Sequence, residues 1–371
     1  MKPIKIFVDC HVFDYGFQGT RTYIQGLYLE LLKDKSKEFY FAASNISNLK
    51  SIFGEADNID YLAYSSKNKY YRLLIDIPRL IRKNKIDFAH FQYAVPPVKR
   101  CKYIVSTHDV LFLDYPEYFP KLDSSIKHQL YKYSARKSEI VLTGSHFSKE
   151  KLEKHFKINN VFVQVYGVEP VFFEAYNKEQ IQKEVEEKYH FRKYIIYISR
   201  HEPRKNHFFL LKAFVELELY KTFHLVLIGD VTFRDDAFDS MMLTLEKDIK
   251  GKIILLNKVD FAAMILLLRG AELAIYPSKA EGFGLPPIES VAAKVPTICS
   301  NTTSMAEFDF FGDDFINPLD LEDIKSKMQA KIATTDVERL NDLATFVKNK
   351  YNWKASAAMF NSILNTEIDK N

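Results

Sequence analysis

Short apolar runs alternate with longer amphipathic stretches along most of the chain. The apolar runs are rich in Ile, Val, Phe and Tyr and predict buried strands, whereas the stretches between them carry apolar residues at helical spacing. Strands are expected at residues 4–9, 39–43, 88–92, 103–107, 140–143, 161–165, 194–199, 224–229, 252–256, 273–276 and 296–300. Helices are expected at residues 22–32, 70–83, 124–137, 148–156, 207–219, 237–247, 261–269, 287–293, 321–333 and 337–348. Such alternation is typical of α/β proteins with parallel sheets.

The length of the chain predicts more than one domain. Its 371 residues exceed what a single ordinary core accommodates, so two domains are expected. Residues 176–192 are charged and lack strand character, which is typical of a hinge region. We therefore expect one domain over residues 1–175 and a second over residues 176–353. In open parallel sheets, ligands bind at the carboxyl ends of the strands, so functional residues are expected there.

The charge balance argues against nucleic acid as a partner. Net charge is only +4, from 52 basic and 48 acidic residues. Cys10, Cys101 and Cys299 are odd in number and far apart, which indicates a reducing compartment rather than a disulfide framework. The N-terminus lacks the apolar stretch of a signal peptide, and no apolar run approaches the length of a membrane span. A cytoplasmic location is expected.

The most informative segment is residues 281–289, Glu-Gly-Phe-Gly-Leu-Pro-Pro-Ile-Glu. It follows an expected strand, its two glycines open a loop, and its two prolines are suited to the first turn of a helix. Backbone N–H groups at such a helix start favour a phosphate or a developing anion. The carboxylates of Glu281 and Glu289 are better suited to accept hydrogen bonds from sugar hydroxyls. The combination predicts a nucleotide-sugar site.

Glu281 and Glu289, with seven residues between them around Gly-Phe-Gly-Leu-Pro, resemble the E-x7-E signature of retaining glycosyltransferases with the GT-B fold, family four in particular. The alternative is an ordinary strand-to-helix turn whose acids complement the helix dipole. The resemblance implies two Rossmann-like domains whose parallel sheets face an interdomain cleft. It also implies that a C-terminal helix, residues 354–371, crosses back to domain one. The acceptor is then expected mostly on domain one and the nucleotide sugar mostly on domain two.

The resemblance further implies the reaction. It predicts transfer of a hexose, with retention, from a nucleoside-diphosphate sugar to a hydroxyl of a glycan or lipid-linked glycan, without a metal. The run from Glu202 to Asn206, Glu-Pro-Arg-Lys-Asn, resembles mannosyl- and rhamnosyltransferases of bacterial surface polysaccharides. Two alternatives stay open: another GT-B enzyme such as a nucleotide-sugar epimerase, and a non-catalytic protein that binds nucleotides or glycans.

A second motif, residues 199–206, places three cations after an expected strand. Arginine presents a rigid fork that suits phosphate, and lysine adds a point charge. The motif resembles the family's clamp on the donor diphosphate, with Arg204 and Lys205 as the main pair and Arg200 in support. The alternative is a solvated basic turn.

A third motif, residues 106–109, contains His108 at the end of an expected strand. By resemblance, His108 lies near the donor sugar and phosphate, where it donates to a sugar hydroxyl or supplies charge. Asp109 would then fix a tautomer or the loop. The alternative is a capped strand end with a satisfied histidine.

A fourth motif, residues 15–23, resembles the glycine loop before the family's first helix. Gly19 is the expected close-approach residue for the donor. Arg21 stands where a second glycine is aligned, which restricts the backbone and offers a charge instead. A simple turn is the alternative.

The resemblance also assigns the remaining site residues. Glu281 is expected to hold donor-sugar hydroxyls and to act with His108, Arg204 and Lys205 in catalysis. Glu289 is expected to hold the ribose. Further donor contacts are expected from Gly282, Phe283, Gly284 and Leu285. No metal site is expected, because Asp235 and Asp236 lie in a polar loop and no His/Cys cluster has metal spacing.

Residues 67–85 carry seven basic residues against one acid, with apolar residues interleaved. Such a stretch is typical of a helix on an anionic membrane surface, here the inner face. The alternative is a domain-one helix whose apolar side belongs to the core. Pro78 is expected to interrupt it.

Overall fold

The computed structural model describes residues 2–14, 19–334 and 336–370. The chain forms two compact units. Unit 1 comprises residues 1–167 and 351–371, and unit 2 comprises residues 168–350. The sequence had placed the first boundary after residue 175 and the second after residue 353.

Unit 1 is built on a seven-stranded parallel sheet with the order β3-β2-β1-β4-β5-β6-β7. The strands are β1 Ile4–Asp9, β2 Lys37–Ala43, β3 Ile59–Ala63, β4 Phe88–Gln92, β5 Lys102–Ser106, β6 Ile140–Thr143 and β7 Val161–Val163. The helices are α1 Gly19–Leu31, α2 Ile46–Phe53, α3 Lys69–Tyr71, α4 Ile77–Asn84, α5 Leu111–Asp114, α6 Lys121–Lys137 and α7 His146–Phe156. Its central strands are nearly continuous runs of buried residues, which is typical of parallel strands covered on both faces.

Unit 2 is built on a six-stranded parallel sheet with the order β10-β9-β8-β11-β12-β13. The strands are β8 Tyr194–Ile198, β9 His224–Ile228, β10 Ile253–Leu256, β11 Leu273–Tyr276, β12 Thr297–Ser300 and β13 Phe315–Ile316. The helices are α8 Lys178–Tyr189, α9 His207–Glu216, α10 Asp236–Thr244, α11 Lys247–Lys250, α12 Phe261–Gly270, α13 Leu285–Ala292, α14 Leu321–Ala333 and α15 Val337–Lys350. Strand order reverses between β8 and β11, so the loops that follow these two neighbouring strands diverge and leave room for a ligand.

The last helix, α16 Trp353–Ile368, belongs to unit 1, as the sequence predicted. It packs against α1, and Trp353 lies against two glycines. A Cβ on Gly26 would lie 2.1 Å from Cε2 of Trp353, and one on Gly167 would lie 2.5 Å from the Trp353 backbone nitrogen. Both positions therefore exclude any larger residue while the indole occupies this place.

The sequence missed β3, β13 and α2, and it misread residues 176–192. That stretch is not an extended hinge, because α8 occupies most of it inside unit 2. Val185 is buried, Gln182 donates a 3.1 Å hydrogen bond to the carbonyl of Gly270, and Lys178 pairs with Glu272 at 2.8 Å. This packing was not predicted from the sequence, because α8 is highly charged and its apolar face is narrow.

The sequence predicted that Pro78 interrupts the helical stretch, but the backbone stays helical through it. A π-helical segment, Arg72–Asp76, joins α3 to α4 and places Pro78 in the first turn of α4. Among the helices that the structure describes, none combines the length and apolar character needed to cross a membrane.

Candidate active site

The loop after β8 is held rigidly in unit 2. A 3-10 turn, Pro203–Lys205, ends at Asn206, which adopts a left-handed conformation with φ of 63°. The buried Asn206 side chain donates to the carbonyls of Pro277, at 3.2 Å, and Pro318, at 2.8 Å. The Tyr197 hydroxyl donates to the Lys205 carbonyl at 2.8 Å. These hydrogen bonds fix the loop backbone from which the side chains of Arg204 and Lys205 project.

The loop after β11 is held by the hydroxyls of Thr303 and Ser304. The Glu281 N–H donates to the Thr303 hydroxyl at 2.9 Å, and the Ser304 hydroxyl donates to the carbonyls of Glu281 and Phe283 at 2.8 and 3.0 Å. Gly284, the N-cap of α13, has a φ of 98°, a conformation that favours glycine. A Cβ there would also lie only 2.9 Å from Cγ of Met305.

The two loops bring both predicted motifs together. Nη1 of Arg204 donates to Oε2 of Glu281 at 3.1 Å and to the Ala280 carbonyl at 2.8 Å. The Lys205 ammonium pairs with the other carboxylate oxygen of Glu281. Glu202 adds a second acid, with its Oε2 at 2.8 Å from Nε of Arg204. The first acid of the E-x7-E segment therefore sits directly between the two clamp cations.

The charge states follow from this arrangement. Burial alone would raise the pKa of Glu281, but the charges of Lys205 and Arg204 outweigh it and lower that pKa to about 2. Burial lowers the pKa of Lys205, an effect that Glu281 opposes and Arg204 reinforces. Glu281 is therefore ionised at neutral pH and holds the two cations in place.

Glu289 lies in the opposite environment. It is half-buried on α13, and its carboxyl forms no hydrogen bond or ion pair with any described residue. Burial, assisted by the charge of Glu169, raises the pKa of Glu289 to about 8. The two acids of the segment thus differ in charge at neutral pH, although the sequence treats them alike.

The helix start itself contributes less than the sequence indicated. Pro286 and Pro287 occupy the first turn of α13 and have no N–H group to offer an anion. Backbone donors for a ligand are then those of residues 282–285, the predicted segment of Gly282, Phe283, Gly284 and Leu285. Most of the positive charge at this place comes from Arg204 and Lys205.

Arg200 and the predicted acidic loop lie outside this cluster. The Arg200 side chain is exposed and forms no hydrogen bond or ion pair with a described residue. Asp235 caps α10 by accepting the Phe238 N–H at 3.3 Å, and Asp236 pairs with Arg234 at 3.1 Å. Within the described residues, no group of three or more His, Cys, Asp or Glu could hold a metal ion.

His108 lies in unit 1 and is satisfied within it. Its Nε2 donates to Oε1 of Gln92 at 3.0 Å, and its Nδ1 accepts the Tyr166 hydroxyl. Burial lowers the pKa of His108 to about 4, so the ring is neutral at physiological pH. Asp109 accepts the Leu111 N–H at 3.2 Å and so serves its own loop.

A buried polar network lies behind His108, and the sequence did not predict that it joins Ser106 and Tyr23, of the third and fourth motifs, to His90 and Gln164. The Ser106 hydroxyl lies 2.7 Å from Nε2 of His90 and 3.0 Å from the Tyr23 hydroxyl, which donates to Gln164 at 2.6 Å. Only His90 and Gln164 stand alone in apolar runs, and nothing in the sequence spacing links them to Ser106 and Tyr23.

Gly19 is the first residue of α1, and a Cβ there would meet no atom of a described residue within 4 Å. The guanidinium of Arg21 lies over the ring of Phe13, 5.2 Å from its centre. Residues 15–18 of the predicted glycine loop fall outside the described residues.

Two family matches cover most of both units. Residues 41–170 match the family described as "Glycosyltransferase Family 4", and residues 178–308 match "Glycosyl transferases group 1". The second match contains Arg204, Lys205 and the whole E-x7-E segment. The chain belongs to the family 4 glycosyltransferases.

Named relatives of this family 4 chain include two O-antigen enzymes. It is 27% identical over 247 residues to "O-antigen chain mannosyltransferase RfbU" of Salmonella typhimurium, which covers 66% of the chain and 63% of the relative. It is 28% identical over 250 residues to "O-antigen chain mannosyltransferase B" of Escherichia coli, which covers 63% of the chain and 65% of the relative. The chain thus spans slightly less than two thirds of the length of these relatives.

Solved structures confirm the GT-B fold of this family 4 chain. Sucrose-phosphate synthase from Thermosynechococcus elongatus superposes with a TM-score of 0.74 at 15% identity, covering 99% of this chain and all of that one. Anabaena HepE in complex with UDP-glucose superposes with a TM-score of 0.73 at 12% identity. The superposition covers 98% of this chain and all of that one.

Proposed function

We propose that this family 4 protein is a retaining hexosyltransferase. It moves a hexose from a nucleoside-diphosphate sugar to a hydroxyl of a glycan or lipid-linked glycan. The observation that carries the proposal is the cluster of Arg204, Lys205 and Glu281 at the carboxyl ends of β8 and β11. An arginine fork and an ammonium fixed side by side are suited to a diphosphate leaving group.

The cluster supports catalysis by charge that is already in position. As the glycosidic bond breaks, negative charge builds on the departing diphosphate. Arg204 and Lys205 stabilise that charge without moving, because Glu281 and the carbonyl of Ala280 orient them beforehand. Two protein cations here also make a metal unnecessary, and we propose that the reaction needs none.

The acids of the E-x7-E segment then receive separate tasks. A carboxylate has about four lone-pair sites. Arg204 and Lys205 each bond one oxygen of Glu281, so the carboxylate keeps lone pairs for donor-sugar hydroxyls. Glu289 has no protein partner among the described residues and is suited to the two hydroxyls of a ribose. We name no protein general base, since the leaving phosphate can take the acceptor proton.

His108 is neutral, and both of its ring nitrogens are hydrogen-bonded. This state favours a role in positioning its neighbours over a role in supplying positive charge to the donor. Its ring holds Gln92 and Tyr166 in place at the carboxyl ends of the unit 1 strands. A positive charge on His108 would require a pH below about 4, the pKa that burial gives it. We propose that it shapes the acceptor side of unit 1.

The named relatives support mannose as the first sugar to try and a bacterial surface polysaccharide as the setting. Three free cysteines support a reducing, cytoplasmic location.

The stretch 67–85 supports peripheral contact with the inner membrane surface. Its inner side belongs to the core, with Leu73, Ile77 and Leu80 buried. Its outer side exposes Tyr70 at 71% and Leu74 at 51%, among exposed basic residues. Binding to vesicles that contain anionic lipid, weakened in Leu74→Ser, tests this contact.

The function is tested with mannose, glucose and N-acetylhexosamine linked to several nucleoside diphosphates. A thermal-shift screen first identifies the donor, because ligand binding raises the stability of the folded protein. The expected result is release of nucleoside diphosphate that depends on a glycan acceptor and falls roughly tenfold or more in Lys205→Ala. Lys212→Ala, a half-exposed lysine on α9, is the matched control.

Two outcomes would contradict this function. Conversion of the donor to an isomer without any acceptor would identify an epimerase. Tight donor binding with no turnover across a broad acceptor panel would identify a binding protein.

A further inference from the structure

A polar cavity in unit 1 lies outside the donor clamp and the His108 group, although two of its lining residues, Lys67 and Arg72, belong to the stretch 67–85. It lies where the chain leaves the carboxyl ends of β1, β2 and β3, and it encloses about 630 Å³. That volume is within the range of small-ligand pockets. The lining residues that matter here are Asp14, Ser44, Ser47, Ser66, Lys67 and Arg72. Ile46 is the single apolar residue among those described in the lining, so the cavity suits a hydroxylated and charged ligand.

Arg72 is the residue that points to a ligand. It is only 7% exposed, yet its guanidinium forms no hydrogen bond to any described residue, and its Nε is buried without a partner. It forms a long ion pair with the buried Asp9, 3.7 Å from Nη2, and its guanidinium lies over the ring of Tyr64, 5.9 Å from the ring centre. Asp9 has closer partners, since it accepts the Tyr64 hydroxyl at 2.7 Å and lies 3.1 Å from Nδ1 of His11. One long ion pair leaves most of the five donors of this buried guanidinium without an acceptor, which is costly, so the geometry favours an acceptor group in the cavity.

The rest of the lining fits a phosphate on one side and a sugar on the other. Lys67 adds a second cation, and Ser47 belongs to the first turn of α2, whose positive end favours an anion. Asp14 accepts the N–H groups of Ser44 and Asn45 at 3.0 and 2.7 Å. Its carboxylate keeps lone pairs for sugar hydroxyls but would repel a phosphate placed beside it.

We propose that this cavity binds a phosphorylated sugar, with Arg72 and Lys67 on the phosphate and Asp14 on ring hydroxyls. Its biological meaning rests on the proposed function, in which the ligand is a phosphate-bearing sugar of the acceptor. The binding itself requires no donor and no turnover.

Titration calorimetry on the full chain, without nucleotide, tests the site with mannose 6-phosphate, mannose and glucuronate as probes. Mannose 6-phosphate should bind at least about tenfold more tightly than mannose, the contribution of a charge-assisted contact. Equal affinity for these two probes, or no binding, overturns the proposal. Tighter binding of glucuronate overturns the choice of phosphate over carboxylate.

Two exposed positions allow variants that keep the fold. Lys67→Glu reverses a charge in the lining, and Lys69→Glu makes the same change two residues away, outside it. Ser47→Asp puts an acid where the dipole of α2 favours one, and Ser51→Asp is its control on the same helix. Each lining variant should weaken the binding of mannose 6-phosphate about tenfold, and the control variants should leave that binding unchanged. Loss of binding in Lys205→Ala instead would relocate the anion to the donor clamp and refute the site.

The outcomes separate this proposal from the proposed function. Sugar transfer without binding of mannose 6-phosphate refutes only the cavity. Binding with the expected variant pattern but no transfer supports the cavity and contradicts the transferase. Where both hold, Lys67→Glu should raise the KM of a phosphorylated acceptor about tenfold and leave the KM of the donor unchanged.

Discussion

Glu289 gives the sharpest test of the site, because its carboxyl is mostly protonated in the free protein at neutral pH. Burial, assisted by Glu169, raises its pKa to about 8. If ribose hydroxyls donate to the ionised form, binding releases a proton. About 0.9 proton should be released per nucleoside diphosphate at pH 7 and about 0.1 at pH 9. Since the cost of deprotonation disappears as the pH rises through 8, affinity should increase about tenfold between pH 7 and pH 9.

Titration calorimetry in two buffers with different ionisation enthalpies measures both quantities. Glu289→Gln is the control, because it cannot release this proton but keeps the titrations of the ligand phosphate and of Lys205. Its affinity should change less with pH, and the difference between the two proteins isolates Glu289. Identical proton release and identical pH dependence in both proteins would refute the reasoning.

The remaining predictions concern the clamp and the folded state. Lys205→Ala should lower turnover by roughly tenfold or more with an unchanged circular dichroism spectrum, because one fixed charge on the leaving group is lost; a normal rate would exclude it from the site. Glu289→Gln should raise the free energy of unfolding by about 2 kcal/mol at pH 9 and leave it unchanged at pH 4, since the ionised carboxylate is disfavoured by partial burial and forms only as the pH rises; urea titrations at both pH values measure this. Gly284→Ala should cost about 1–3 kcal/mol from the strained φ, by the same titration. Trp353→Ala should cost about 3–5 kcal/mol, seen as a lower thermal midpoint; an unchanged midpoint would contradict the packing of α16.

The sheets were predictable because their strands are buried on both faces. β1, β4, β6 and β11 were predicted with their observed bounds. β3 was missed because most of its residues are only half-buried and its pattern is correspondingly weak. β13 has two residues, too few for any periodicity to be visible.

The meeting of the two motifs in unit 2 was also predictable, because parallel strands end at one edge of the sheet. The different charges of Glu281 and Glu289 could not be predicted from the sequence, because Lys205 and Arg204 approach only Glu281. The saturation of His108 could not be foreseen either. It depends on Gln92 and Tyr166, which are distant in sequence from each other.

The packing of Trp353 against Gly26 and Gly167 has a consequence for synthesis. Unit 2 is one uninterrupted stretch, but unit 1 also needs residues 351–371, which are synthesised after all of unit 2. Until Trp353 is added, the groove at Gly26 and Gly167 stays unfilled. The nascent chain then contains an incomplete unit 1 and a complete unit 2. A premature stop before residue 353 should therefore yield an aggregation-prone first unit while leaving the donor clamp intact.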